Sequence, residues 1–148
     1  MKDSVFLDTN ILVYLYSNTE KQKREISISL LKTYICTIST QVLNEFCNVL
    51  IKKYKIKNNE IKMFITNILK SSSLQLITEQ IINCAIDLNR IYGYSYYDCL
   101  MLASALNSNN GVIFSEDLKD GQIIETKLKI INPFKDSYIF PVKDSHSP

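Results

Sequence analysis

The chain has 148 residues, about one domain's length, with 46% hydrophobic residues and a formal charge of only +2. That balance excludes a disordered chain and a protein that coats nucleic acid through bulk charge; any such contact must be local. The single histidine, His146, and the three glycines, Gly93, Gly111 and Gly121, exclude more. There is no material for a Ser-His-Asp triad, a Cys-His pair or a His-rich zinc site, and the glycine spacing forms neither a P-loop nor a dinucleotide fingerprint. Cys36, Cys47, Cys84 and Cys99 form no close metal pair and lie in apolar stretches. They read as reduced core residues, which favours a cytoplasmic setting. No signal peptide is visible at the N-terminus. No apolar run approaches the roughly 18 residues a membrane helix needs, so no membrane contact is expected.

In chain order, SVFL (4–7) reads as a short buried strand, and ILVYLYS begins a helix with Asp8 or Thr9 near its N-cap. Residues 21–34 carry a modest helical stripe. ICTI (35–38) is a second strand, followed by a cap at Ser39 or Thr40 and an amphipathic helix through Val42, Leu43, Phe46, Val49 and Leu50. Ile61, Phe64, Ile65 and Ile68 mark another helix. LQLIT (74–78) is a third strand, and the next helix stops at Gly93. Ser95 caps a nearly all-apolar helix that ends before Gly111. VIFS (112–115) is a fourth strand, and KIINPF (129–134), ended by Pro133, a fifth. Strands alternating with helices imply a parallel sheet covered on both faces. The pattern lapses over 135–148, a tail expected to dock in part through Tyr138, Ile139 and Phe140.

In a parallel sheet, ligands bind beyond the carboxyl ends of the strands. Asp8 ends the first strand, Glu116 and Asp117 follow the fourth, Asp98 opens the apolar helix, and Glu45 lies about one and a half turns into the helix after the second strand. Each has an ordinary explanation. Asp8 can cap a helix; Glu45 shares a polar stripe with Gln41, Asn48 and Lys52; Asp98 stands three after Ser95, as in a capping box; SEDLKDG makes an acidic turn. Together they point further. Several carboxylates in one place resist joint ionisation, and a divalent cation relieves that. With no His or Cys among them, these oxygen donors call for Mg²⁺ or Mn²⁺, whose chemistry suits hydrolysis of a phosphodiester.

FLDTNILVY, TQVLNEFCNVL, YSYYDCLMLASAL and GVIFSEDLKDGQ, in that order and spacing, resemble a PIN domain, with the nearest likeness to toxin ribonucleases of the VapC type. The resemblance covers about residues 4–134. It implies an α/β three-layer sandwich around a parallel sheet of about five strands, with 1–134 as the nuclease domain. It also implies metal-dependent endonuclease action on RNA that leaves a 3′-hydroxyl and a 5′-phosphate. Asp8, Glu45 and Asp98 match the family's three firmest acids, and Asp117 best matches the fourth, with Glu116 and Asp120 as alternatives. Asn10 matches a polar residue that orients the first acid, and Ser115 a hydroxyl that holds water or Asp8. A toxin of this kind implies a cognate antitoxin and a homodimer as partners. Two other readings stay open: an RNA-processing PIN nuclease that is not a toxin, and an inactive PIN-like module that binds RNA or protein. KKYKIK (52–57) is the one dense basic run, and Tyr94, Tyr96 and Tyr97 lie beside Asp98 as candidate stacking rings.

Overall fold

The computed structural model describes residues 3–138 and 140. Its elements run β1 (Ser4–Leu7), α1 (Thr9–Leu15), α2 (Lys21–Thr33), β2 (Ile35–Ser39), α3 (Thr40–Lys52), α4 (Asn58–Lys70), β3 (Ser72–Gln75), α5 (Glu79–Tyr92), α6 (Tyr96–Asn107), β4 (Val112–Phe114), β5 (Ile123–Ile124) and β6 (Leu128–Ile131). The strands form one sheet in the order β3-β2-β1-β4-β6-β5. All pairings are parallel except β5 with β6. Val5, Phe6 and Leu7 are fully buried because β1 has a strand on each side and helices over the sheet. Among these helices α1 touches α2 and α3, α3 touches α4, and α5 packs on α6, which in turn lies against β2 and β4. This is the three-layer α/β arrangement expected.

The five parallel strands expected are present, β3-β2-β1-β4-β6, and a sixth strand extends them; the bounds of the third strand need correction. Ile123 and Ile124 add a short antiparallel edge, closed by a turn in which Glu125 and Thr126 both take positive φ, 52° and 59°. The third strand spans Ser72–Gln75 and not 74–78. As an edge strand it has a single neighbour, β2, so Ser72 and Ser73 can join the ladder without an apolar face to bury. Cys36 and Cys99 are buried, whereas Cys47 and Cys84 are only half-buried; none of the four is in a disulfide. Tyr138 shares a 2.7 Å hydroxyl contact with Tyr34 and meets the Phe114 ring edge-on. Ile139, His146 and the end of the tail lie outside the described residues. No described helix is long and apolar enough to cross a membrane.

Register and capping aim the carboxyl edge. Leu7 pairs with Phe114, and Asp8 N–H continues the ladder to the Phe114 carbonyl at 3.1 Å. That sets Asp8 beside Ser115 just as the backbone turns into α1. In the same way Ser39 ends β2 and caps α3, its hydroxyl accepting from Val42 N–H at 3.2 Å.

Candidate active site

At this edge lies a cleft of about 310 Å³ lined by Asp8, Thr9, Asn10, Gln41, Glu45, Asn48, Val49, Asp98, Met101 and Asp117. Four acids read from the sequence therefore share one cavity, although they come from four separate segments. No lysine or arginine is among the lining residues.

Asp8 is the most enclosed of the four, with 7% of its surface exposed. One carboxylate oxygen accepts from Thr9 N–H, capping α1, and the other accepts from Ser115 Oγ at 2.7 Å. Burial raises its pKa to about 6; the Ser115 and Thr9 hydrogen bonds oppose that rise, while the charges of Asp117 and Glu45 add to it. Ser115 is itself fully buried, and its oxygen accepts from the backbone N–H groups of Asp117 and Leu118 at 3.2 and 3.3 Å. Its one hydroxyl proton is thus free to go to Asp8.

Glu45 does not face open solvent. Its two oxygens accept from Thr9 Oγ1 at 2.7 Å and Gln41 Nε2 at 3.0 Å. The stripe Gln41, Glu45, Asn48 lines the cleft because residues three and four apart share a helix face. Asp98 forms only half of a capping box. The Ser95 hydroxyl accepts from Asp98 N–H at 3.2 Å, but among the described residues the Asp98 carboxylate accepts no hydrogen bond in return from Ser95 N–H. That carboxylate lines the cleft instead.

The three acids after β4 separate. Asp117 lines the cleft, and burial together with the charges of Glu116 and Asp98 raises its pKa. Glu116 is turned aside: it accepts from Tyr14 OH and forms a 3.0 Å ion pair with Lys23. Tyr14 is pushed up to about 12 by burial and by that bond. Asp120 faces elsewhere, accepting from Asn132 N–H at 2.7 Å and pairing with Lys135. Asn10 needs correction. Its amide donates to Asp117 at 3.0 Å and, more weakly, to Glu116 at 3.4 Å. Among the described residues it makes no bond to Asp8, whose oxygens are already met by Thr9 and Ser115. Thr9 and Gln41 were missed as site residues. The i to i+4 spacing of Gln41 and Glu45 was the visible sign of one; nothing local marks the other.

The donor set suits a hard divalent cation: its carboxylates act on one another's charge, and the two ion pairs seen among the described residues, Lys23–Glu116 and Lys135–Asp120, include none of Asp8, Glu45, Asp98 or Asp117. Among the described residues no three ligating side chains already close on one point. Mg²⁺ does not require that, since it retains several waters and commonly engages one or two carboxylates directly.

A family model of the PIN domain matches residues 5–120. The chain belongs to the PIN domain family. No curated protein sequence matches it significantly. Among solved structures, this PIN domain is similar to a toxin-antitoxin complex from Klebsiella pneumoniae, with TM-score 0.67 and 22% identity over 88% of this chain and 98% of that one. It is similar to VapC20 of Mycobacterium tuberculosis, a Sarcin-Ricin loop cleaving toxin, with TM-score 0.62 and 16% identity over 76% and 91%. A third similar structure is FitAcB from Neisseria gonorrhoeae, with TM-score 0.58 and 15% identity over 87% and 97%. At these identities the likeness is one of fold.

Proposed function

We propose that this PIN domain is a metal-dependent endoribonuclease, the toxin of a type II toxin-antitoxin pair, acting in the cytoplasm. The observation that carries the reading is the convergence of Asp8, Glu45, Asp98 and Asp117 on one cleft with no basic side chain in its lining. These four would hold Mg²⁺ or Mn²⁺. When bound, such a cation supplies an activated water and offsets charge developing on the phosphate. The chain's own part is to keep the carboxylates in place. Ser115 and Thr9 fix Asp8, Thr9 and Gln41 fix Glu45, and Asn10 restrains Asp117. Glu116 is paired with Lys23, and its charge still acts on the neighbouring Asp117. Cleavage is expected to leave a 3′-hydroxyl and a 5′-phosphate.

The toxin role is supported by fold neighbours that include a toxin-antitoxin complex and a Sarcin-Ricin loop cleaving toxin. A cognate antitoxin could meet this acidic cleft with a basic side chain carried on a docked helix. A homodimer would set two such clefts about a two-fold axis. The deciding experiment is cleavage of a labelled RNA. It is expected in Mg²⁺ or Mn²⁺, abolished by EDTA and by Asp98→Asn, and retained by Glu116→Gln; cleavage that persists in EDTA overturns the reading. Expression of the chain alone should arrest growth while Asp98→Asn does not, and equal growth removes the toxin role. Light scattering that reports a 17.1 kDa particle removes the dimer.

A further inference from the structure

Beside the acidic cleft opens a second, less polar hollow of about 540 Å³, whose lining includes Gln41, Asn44, Asn48, Ile77, Tyr97 and Leu100. Gln41, Glu45 and Asn48 line both cavities, so the two form one groove running across α3. We propose that this hollow seats an unpaired nucleobase of the RNA next to the scissile phosphate, an inference that rests on the ribonuclease reading above.

Three features support it. Tyr97 is 64% exposed; its backbone is anchored, since its carbonyl accepts from Gln41 Nε2 at 3.0 Å, and its ring meets Tyr96 edge-on at 5.4 Å. An exposed ring on an anchored backbone offers a surface on which a base can stack. Ile77 and Leu100 supply an apolar floor, with Ile77 tied to α3 through its N–H to Thr40 Oγ1 at 3.2 Å. Asn44 and Asn48 are exposed, and among the described residues their carboxamides bond to nothing, so donors and acceptors are free at the rim. A base presents an apolar face and a polar edge, and this is the matching set. A phosphate would find no cation in the lining, and an aliphatic peptide side chain would leave both amides unused.

The Gln41 amide also joins the two cavities. It bonds the Glu45 carboxylate on one side and the Tyr97 backbone on the other, so a base stacked on Tyr97 is placed at a set distance from the acids. Stacking supplies affinity with little regard to sequence, and the amides supply choice of base.

The test is steady-state cleavage of RNA randomised around the cut, with sequencing of the product ends, for wild type, Tyr97→Ala, Tyr97→Phe and Asn44→Ala. Tyr97→Ala should raise KM roughly five- to a hundredfold, the loss of one base stack, with its Mg²⁺-induced melting shift unchanged. Tyr97→Phe should restore KM. Asn44→Ala should flatten the base preference at one nucleotide. Wild-type cleavage with Tyr97→Ala showing the same KM and sequence profile overturns the inference and leaves the nuclease reading intact. The same holds if Tyr97→Ala weakens only the complex with a protein inhibitor, which would make the hollow a protein-docking site. A wild type that cleaves no RNA defeats the ribonuclease reading, and this inference with it.

Discussion

Asp8 performs two structural tasks with one carboxylate, capping α1 and accepting from Ser115, and its enclosure makes it costly to ionise. Its native pKa, about 6, lies above the ordinary 3.8, so the folded chain holds the proton more tightly than the unfolded one. Stability without metal therefore falls as pH rises from about 4 to 6. The penalty, up to about 3 kcal/mol, then remains in full above that window. Asp8→Asn keeps an oxygen for the cap and removes the charge. In EDTA, its melting temperature relative to wild type should climb between pH 4 and pH 7 and level off beyond; a difference that does not change with pH would show that the charge is not the cost. The sequence offered helix cap and metal ligand as competing accounts of this residue. The structure shows the cap directly, and the enclosure beside three further acids could not be seen from position 8 alone.

For α6, capping and site chemistry belong to different residues. Ser95 caps the helix through Asp98 N–H, and the Asp98 carboxylate is left to the cleft. Ser95→Ala should cost about 1 kcal/mol, a fall in melting temperature of about 3 °C at this length, with cleavage surviving. Asp98→Asn should do the opposite, abolishing cleavage while the metal-free protein melts no lower. Paired melting and cleavage assays on the two variants separate the roles. Elements with a buried face were legible: α3, through Val42, Phe46 and Leu50, and β1, through Val5 to Leu7, follow the apolar pattern closely. What escaped lies at the sheet edges. β5 is two residues long, too short to show a period, and its turn places Glu125 and Thr126 at positive φ, where glycine or asparagine is the usual signal. Asn10 was misassigned for a related reason. Its partner Asp117 lies 107 residues away, a distance no local spacing encodes.

For the whole molecule, the four acids form a built-in repulsion that a cation should relieve. Mg²⁺ at ten times its dissociation constant should stabilise the native chain by about 1.4 kcal/mol, raising the melting temperature by about 3–6 °C. Melting curves in Mg²⁺ and EDTA read this directly, and Asp98→Asn should lose most of the shift. The same cleft has a history in time. β1 lies inside the sheet between β2 and β4, and the Asp8–Ser115 bond joins residues 107 apart. At roughly 5–20 residues per second, a ribosome that has made Asp8 needs about 5–20 s more to make its partner. During that interval the emerging chain carries Asp8, Glu45 and then Asp98 but no β4 against which to set them. The cleft is thus complete only once synthesis has passed β4 and Asp117, so a shorter nascent chain carries its acids without the scaffold that brings them together.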